Sequence, residues 1–485
     1  MLTQAAICID IGSTYTKGIL LKFTQDCLQL VGKATVPTTV DHLPKGFNLV
    51  LSQLAPQIVD AQSAKTNKIE VFFSSSAKGG LKVAVVGLVP EMSLHIARLA
   101  AFSAGAKICA SFPYKLTNKH IEQISRHNPD ILLLCGGTDG GNERFVCENA
   151  KLISQTDFAN TIIFAGNNTA AESIQEILSE KKLIITQNLM PDFGKLNTEP
   201  VREKIREVFL DQIVSGKGLN EIVQKFATQP VPTPLAVLNL VKAIGESKSV
   251  NWDNFALIDM GGATTDFYSY GESFYSDTAR FLKGVHEPKL KRTVEGDLGM
   301  RVSAIAAYEA SKEYFSAKLT DIELEEIENY CKKVQANPDF LPALEKEKKY
   351  DLLLAQACVY NSLIRHAGTI EEVFTIKGPV WAQTGKDLSR INKIIATGGL
   401  LSAQGRENQA LKIPNEPVTN CEKVPLLPQS ADYYVDINYL WPLLGNMATK
   451  YPNQCALMAV NSLKNMQNSA STKESFQSEP TNDQH

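Results

Sequence analysis

The sequence predicts an α/β fold made of two similar, duplicated lobes, with a doubly wound α/β unit inserted after the start of the first lobe. A strand–turn–strand segment occurs twice, at residues 9–17 and again at 258–266. From about residue 65 to 190, short apolar strands alternate with amphipathic helices, a pattern typical of a parallel sheet covered by helices. A third glycine turn, at residues 398–399, follows another apolar strand.

These patterns divide the chain into five segments. They are the N-terminal part of the first lobe (residues 1–64), the α/β insertion (65–190), a helical connection (191–250), the second lobe with the third turn (251–462), and a tail that we expect to be disordered (463–485). The tail is rich in Ser, Gln, Asn, Thr and Glu, a composition that does not support a packed core.

The first segment begins with three predicted strands, and apolar spacing predicts a helix over Asn48–Ala61. Six strands are predicted in the insertion: Ile69–Phe73, Lys82–Val86, Ala106–Ala110, Asp130–Cys135, Thr161–Ala165 and Lys182–Thr186. Its clearest helices are Ser93–Ala104, Asn118–Arg126, Glu143–Ser154 and Thr169–Ser179. Residues 301–375 are predicted to be helical.

Charge and composition exclude several classes of protein. The 49 basic and 52 acidic residues give a net charge of −3, which argues against a partner that is nucleic acid or an anionic membrane. The sequence contains no apolar stretch of about 18 residues, and its first residues predict a core strand and not a signal peptide. Nine cysteines without a CxxC pair indicate reduced thiols, so we expect a cytoplasmic protein.

The two repeated segments match at an offset of 249 residues. Asp10 and Asp259 occupy equivalent positions, and the glycine and threonine that follow each of them are also identical. Small residues in such turns let backbone N–H groups approach an anion closely. An aspartate at each strand end supplies a carboxylate suited to a hydrated Mg²⁺ ion. Two such turns facing each other would hold a polyphosphate from both sides.

The two turns are therefore predicted to form a phosphate- and metal-binding site. Asp10 and Asp259 are the predicted Mg²⁺ residues. Lys17 either reaches a phosphate or lies on the surface of its strand. The predicted phosphate-binding residues of the turns are Gly12, Ser13, Thr14, Gly261, Gly262, Ala263, Thr264, Thr265 and Asp266.

Together, the three turns resemble those of the actin/Hsp70/sugar-kinase ATPase superfamily, which implies that the cofactors are ATP and Mg²⁺. By that resemblance Gly398 and Gly399 form the adenosine turn. Members with chaperone activity carry a further loop that reaches the phosphates and opens a helix, and here that loop contains Gly296. Glu295 and Asp297 are then candidates to orient the attacking water. Alternatively, Gly296 and Asp297 only cap a helix.

A narrower resemblance covers residues 4–460. The chain resembles the MutL-type accessory proteins of glutamate mutase (the GlmL family) in these strings: SSSAKGGLK (74–82), CGGTDGGN (135–142), AGN (165–167), DMGGATTD (259–266), TVEGDLGMR (293–301) and QTGK (383–386). It implies an ATP-binding, ATP-hydrolysing accessory factor, similar to chaperone-like reactivating factors, whose partners are the subunits of an adenosylcobalamin-dependent mutase such as glutamate (methylaspartate) mutase.

The insertion looks like the doubly wound domain that holds cobalamin in such mutases, but it lacks the signature Asp-x-His-x-x-Gly, since Gly87–Met92 follows its strand Lys82–Val86. It either docks where the mutase's own domain docks or is a generic α/β insertion. The glycine-rich loop with Thr138 and Asp139 suits an anion or a partner loop.

Two other functions use the same turns. A small-molecule kinase, or an ATP-dependent enzyme of the hydantoinase/oxoprolinase type, would hold an acceptor in the cleft. A filament-forming structural protein of the actin type would self-associate. The near full-length resemblance favours the accessory factor.

Overall fold

The first sheet has five strands in the order β10-β4-β1-β2-β3. The computed structural model describes residues 4–25, 27–39, 41–76, 81–214, 218–275, 280–376, 378–399, 401 and 423–466. β1 is antiparallel to β2 and parallel to β4. The bounds are β1 Ala5–Ile11, β2 Tyr15–Thr24, β3 Cys27–Pro37, β4 Ile69–Ser75 and β10 Val231–Pro232.

The second sheet repeats this arrangement in the order β14-β12-β11-β17-β19-β20. β11 is antiparallel to β12 and parallel to β17, so it corresponds to β1 of the first sheet. The bounds are β11 Phe255–Met260, β12 Thr265–Tyr270, β14 Leu290–Glu295, β17 Lys393–Thr397, β19 Asp432–Val435 and β20 Lys464–Asn465. The predicted duplicated lobes of the actin-like ATPase fold are therefore confirmed by strand order and strand direction together.

A shared apolar core joins the two lobes. Three helices, α9 (Thr233–Glu246), α14 (Leu440–Gly445) and α15 (Pro452–Asn461), pack between the inner faces of the two sheets. Gly445 is a close contact point, since a Cβ there would lie 2.2 Å from the carbonyl oxygen of Ala236 in α9. Burial of this apolar surface holds the carboxyl ends of β1 and β11 in one fixed region of the molecule.

The third sheet lies in the insertion and is entirely parallel, in the order β6-β5-β7-β8-β9. This order is one of the common doubly wound arrangements, in which ligands bind where the strand order reverses, here between β5 and β7. The bounds are β5 Lys82–Gly87, β6 Lys107–Pro113, β7 Ile131–Leu134, β8 Thr161–Phe164 and β9 Leu183–Ile185. The predicted doubly wound insertion is confirmed.

The remaining helices of the described residues pack on these sheets or on one another: α1 Leu43–Leu54, α2 Ala61–Thr66, α3 His95–Ser103, α4 Asn118–His127, α5 Arg144–Ser154, α6 Ala171–Ile177, α7 Glu199–Val214, α8 Leu219–Phe226, α10 Ala304–Ala310, α11 Lys312–Ser316, α12 Asp321–Ala336 and α13 Glu345–His366. A π turn, Pro90–Leu94, precedes α3, and a 3₁₀ turn, Asn168–Ala170, precedes α6. Among the described residues, no helix is both long and apolar enough to cross a membrane.

Two predictions about the first lobe were wrong. The strand at Ile69–Ser75 does not lie in the sheet of the insertion, because it pairs with β1 beside it in the first sheet. The helix predicted over Asn48–Ala61 begins at Leu43 and ends at Leu54. Pro44 fits the first turn of a helix, where its missing N–H has no partner to lose, while Pro56 cannot continue one.

Two predictions about the C-terminal half also fail. The helical stretch predicted to residue 375 ends at His366, and a strand-rich sequence then forms a hairpin in a fourth sheet, made of β13 Arg280–Leu282, β15 Thr369–Thr375, β16 Gly378–Thr384 and β18 Val424–Pro425. Residues 463–466, which were predicted to belong to the disordered tail, are instead ordered, because β20 pairs with β19 and Met466 is buried. Residues 467–485 lie outside the described residues.

Candidate functional site

Asp10 is buried at the carboxyl end of β1 and accepts three hydrogen bonds. The hydroxyls of Ser74 and Thr233 donate to its Oδ1 at 2.8 and 2.6 Å, and the Tyr439 hydroxyl donates to Oδ2 at 3.3 Å. Burial raises the pKa of Asp10, while these hydroxyls and the ammonium of Lys17 oppose that rise. Residues from the first sheet, from α9 and from the second lobe together therefore fix this carboxylate in one orientation.

The first turn lies directly after Asp10. Gly12 N–H bonds to the Tyr15 carbonyl at 3.1 Å, and a Cβ on Gly12 would lie 2.7 Å from that oxygen, so the turn needs glycine there. Ser13 and Thr14 at its tip are exposed. The predicted phosphate-binding residues of the first turn are thus presented to solvent beside a buried carboxylate.

Asp259 occupies the equivalent position in the second lobe and is only partly buried. Burial raises its pKa to about 7, and the nearby carboxylates of Asp266 and Asp10 contribute to that rise. Asp10 and Asp259 come from separate lobes, 249 residues apart, yet they are close enough to repel each other. The duplicated fold therefore brings together the two carboxylates that the sequence predicted as a pair.

The loop at residues 298–303 of the same lobe packs against the second turn. Arg301 N–H bonds to the Gly262 carbonyl at 2.8 Å, and the Ser303 hydroxyl bonds to the Ala263 carbonyl at 2.8 Å. The Thr265 hydroxyl donates inward to the Leu298 carbonyl at 2.6 Å. Residues 298–303 therefore contact the second turn and the start of β12, and the helix that follows, α10, begins only at Ala304.

Thr264 and Asp266 complete the second turn and the start of β12. The Thr264 hydroxyl lies 3.5 Å from the Asp266 carboxylate. Asp266 is buried opposite Asp259 in the strand register, in the position that Lys17 holds opposite Asp10. The two lobes therefore carry opposite charges at equivalent positions.

Lys17 lies between the lobes and not on an outer strand face. Its Nζ is 3.3 Å from the centre of the Tyr439 ring. Burial lowers its pKa, while the carboxylates of Asp10, Asp259 and Asp436 act to raise it. Its ammonium therefore faces an acidic cluster formed by Asp10, Asp259 and Asp436.

Asp436 is a member of this cluster that the sequence analysis missed. It is fully buried directly after β19 and accepts N–H bonds from Leu440 and Trp441 at 2.8 and 2.9 Å. The Thr397 hydroxyl donates to it at 3.1 Å. Asp436 therefore holds the start of α14 and the end of β17, much as Thr233 and Ser74 hold Asp10 in the first lobe.

The third turn lies against the second one. Gly398 has φ +105°, and a Cβ there would lie 2.2 Å from the carbonyl oxygen of Met260, the last residue of β11. Gly399 is exposed, and a Cβ on it would meet no atom of the described part of the chain within 4 Å. The helix predicted after this turn falls at Leu400 and residues 402–422, which lie outside the described residues.

Glu295 and Asp297, the predicted water-orienting pair, are both bound by Arg365 of α13. Its Nη1 lies 2.8 Å from Glu295 Oε2 and 2.7 Å from Asp297 Oδ1, and its Nη2 donates to Asp297 Oδ2 at 2.9 Å. Burial raises the pKa of Glu295, against the lowering effect of Arg365. Gly296 between them faces the insertion, since a Cβ on it would lie 2.1 Å from Lys107 Nζ.

The glycine-rich loop of the insertion, residues 136–142, lies at the point where the strand order reverses. Asp139 Oδ1 accepts hydrogen bonds from the Asn168 N–H at 2.8 Å and from Asn188 Nδ2 at 2.9 Å. Asn188 also donates to the Gly137 carbonyl at 3.0 Å. Asp139 therefore stabilises the conformation of the loop through hydrogen bonds to neighbouring residues of the insertion.

The comparisons with known proteins decide the family. The family model described as MutL protein matches residues 6–463. The chain belongs to the MutL protein family. Protein MutL of Clostridium tetanomorphum is 34% identical over 455 residues, which cover 93% of this chain and 97% of that protein. The resemblance drawn from the sequence motifs is thereby confirmed.

Solved structures similar to this MutL-family chain have low sequence identity and low TM-scores. Diol dehydratase-reactivating factor in nucleotide-free form is 11% identical at a TM-score of 0.32, covering 92% of this chain and 100% of that one. Gluconate kinase from Lactobacillus acidophilus is also 11% identical at 0.32, covering 95% and 92%. The fold assignment rests on the matched sheets.

The residues that sequence reasoning missed in this MutL-family chain share one cause. Asp436, Tyr439, Thr233 and Arg365 belong to no turn motif, and each reaches the site by tertiary packing. One local signal existed for Asp436, a polar residue directly after the apolar strand end Tyr434-Val435. Among the described residues, no three His, Cys, Asp or Glu side chains are grouped closely enough to hold a metal ion by themselves.

Proposed function

We propose that this protein binds Mg-ATP between its two lobes, hydrolyses it slowly, and serves as an accessory, chaperone-like reactivating factor for an adenosylcobalamin-dependent mutase such as glutamate (methylaspartate) mutase. The observation that carries the nucleotide site is the meeting of Asp10 and Asp259 from equivalent positions of the two lobes. Membership of the MutL family and the motifs shared with glutamate mutase accessory proteins support the mutase as partner.

The donor set at the junction fits a Mg²⁺ ion. Asp10 and Asp259 are carboxylates, and Mg²⁺ prefers oxygen ligands and keeps several of its waters. Asp259, being only partly buried, is open to an ion, and Asp10 is held in place by its hydroxyl donors. In this proposal both residues hold the ion through water, and the ion neutralises charge on the phosphates.

The turns and Lys17 bind the nucleotide itself. The exposed tips at Ser13, Thr14 and Gly262 offer backbone N–H groups to the phosphates, and Lys17 adds a cation that the surrounding carboxylates hold between the lobes. The space beside Gly399, which no described residue fills within 4 Å of a Cβ built there, suits the adenosine. Phosphoryl transfer depends chiefly on such positioning and on charge neutralisation.

Glu295 and Asp297 are proposed to orient the attacking water. Because Arg365 binds both carboxylates, the water would use the lone pairs that Arg365 leaves free. Glu295 is the stronger candidate for a base, since burial raises its pKa.

The test combines nucleotide binding with partner binding. Mg-ATP that binds only the folded protein should raise its melting temperature. At a free Mg-ATP concentration of 100 times Kd, the free energy of unfolding should increase by about 2.7 kcal/mol. A neighbouring mutase should be retained in a pull-down more strongly in one nucleotide state than in the other, with ATP, ADP and no nucleotide compared. No shift at millimolar Mg-ATP refutes the nucleotide site. Equal retention in all three states refutes the reactivating role, and phosphate transfer to a small molecule would identify a kinase.

A further inference from the structure

Arg292 is a buried cation that the proposed hydrolysis does not use. It lies on β14 of the second lobe with 3% of its surface exposed. Its Nε donates to Asp266 Oδ1 at 2.8 Å, and its Nη2 lies 2.5 Å from the same oxygen. Asp266 closes the second turn and faces Asp259 across the β11–β12 pair. One side of the guanidinium therefore binds the nucleotide-facing edge of the lobe.

The other side of Arg292 binds the insertion. Its Nη1 donates to the carbonyls of Phe102 and Ala106, at 2.8 and 3.1 Å. Phe102 is in the last turn of α3, where carbonyl groups lack partners in the helix and favour a cation. Ala106 directly precedes β6. A single side chain thus joins the second turn to the junction of α3 and β6.

Helix α3 extends from this junction to the other end of the insertion sheet. Its apolar face packs on the strands of that sheet. It starts next to the π turn Pro90–Leu94, which follows β5. Nearby, Leu88 lies under the glycine-rich loop, because a Cβ on Gly136 would be 2.5 Å from the Leu88 side chain. Nine residues of helix, about 13 Å, therefore connect the Arg292 contact with the loop region where the strand order reverses.

A second polar contact keeps α3 against the residues just before β14 of the second lobe. His95 Nε2, at the start of α3, lies 3.1 Å from Glu287 Oε1, and Lys291 Nζ lies 2.8 Å from Glu287 Oε2. Glu287 is buried. The helix is thus held at both ends by β14 or the residues just before it.

From these contacts we infer that Arg292 is a positioning residue. Through its hydrogen bonds, the binding of a ligand at the second turn affects the insertion. The inference rests on the proposed nucleotide site. A ligand at the second turn changes the charge around Asp266, and so changes the strength of its pair with Arg292. Because the guanidinium is a rigid, planar fork, a shift on its Asp266 side changes the bonds on its Phe102 and Ala106 side. The ligand at the second turn is a polyanion with a divalent cation, and the helix that responds to its binding is α3.

The experiment measures amide hydrogen exchange in residues 95–107 with and without Mg-ATP. It compares the wild-type chain with Arg292→Met and with Arg292→Lys. Lysine keeps a positive charge near Asp266. Its ammonium lacks the planar fork of donors with which Arg292 bonds to Asp266 and to the carbonyls of Phe102 and Ala106. We expect Mg-ATP to slow exchange near the end of α3 in the wild type by about 5–150-fold, the range of typical coupling between sites. In both variants we expect this response to be lost while calorimetry still shows Mg-ATP binding.

Arg280→Met is the matched control. Arg280 is also largely buried in a pair with an aspartate of the second lobe, Asp387, at 2.8 Å, and its hydrogen bonds go to residues of that lobe. Its loss weakens the lobe without touching the insertion, so the exchange response should remain. An equal response in Arg292→Lys, or no response in a wild type that binds Mg-ATP, would overturn the inference alone. A wild type that binds no Mg-ATP would remove the proposed function and the inference with it.

Discussion

Replacing Asp10 by asparagine separates its role in chemistry from its role in folding. Burial raises the pKa of Asp10, so the folded environment disfavours its charge. Asparagine keeps the shape and an acceptor oxygen for Ser74 and Thr233. We therefore expect Asp10→Asn to be as stable as the wild type, or more stable by up to about 1 kcal/mol, and to lose metal-dependent hydrolysis by about 100-fold or more.

Asp10→Ala should behave differently. It leaves two buried hydroxyls, on Ser74 and Thr233, without their acceptor. At about 1–3 kcal/mol for each unsatisfied group, the cost is about 2–6 kcal/mol. We therefore expect Asp10→Ala to lose both hydrolysis and a measurable part of its folding stability.

Two assays test this pair of variants. Phosphate release at saturating Mg-ATP measures activity, and urea denaturation midpoints measure stability. Asp60→Asn is a suitable control, since Asp60 caps α2 by accepting the Ser63 N–H at 2.8 Å, outside the acidic cluster. Full hydrolysis by Asp10→Asn, or a greater loss of stability in it than in Asp10→Ala, would refute the reasoning.

Two further predictions concern other parts of the molecule. His366 is fully buried between the hydroxyls of Ser269 and Thr293, and burial lowers its pKa well below 6.5. The unfolded chain takes up a proton near pH 6.5 while the folded chain does not, so stability should fall as the pH drops below that value, by about 1.4 kcal/mol per pH unit at most. Denaturation midpoints at pH 7.5 and 5.5 should differ less in His366→Gln, and an unchanged difference would contradict this. Thr138→Ala and Asp139→Ala should weaken mutase pull-down, whereas Asp139→Asn, which keeps the acceptor, should weaken it less; undiminished binding by both alanine variants would remove this loop's role.

Sequence patterns predicted the parts of the site whose residues lie close together in the chain. Asp10, Gly12 and Asp259 lie in turns whose residue types are set by close backbone approach, and the constant offset between the two copies is itself evidence of the duplication. The alternation of strands and helices likewise predicted the doubly wound insertion, because each parallel strand needs a crossover.

The contacts between distant segments could not be predicted in this way. Ile69–Ser75 has the apolar composition of an insertion strand, and only its pairing with β1 assigns it to the first lobe. Asp436 and Thr233 enter the site because β19 and β10 lie toward the same side of equivalent sheets. Arg365 captures Glu295 and Asp297 from a helix about 70 residues away in the chain, a separation at which sequence patterns carry no information on register.

The measurement that tests the central claim most directly is calorimetric titration of Mg-ATP into Gly399→Val. Among the described residues nothing lies within 4 Å of a Cβ built on Gly399, and its φ is not in the left-handed region, so the variant should fold normally. Gly32→Ala, whose added Cβ would make only an ordinary 3.5 Å contact with Leu54, serves as the control. If adenosine lies at the third turn between the lobes, Gly399→Val should lose Mg-ATP binding while the control keeps it. Wild-type affinity in Gly399→Val would contradict the account.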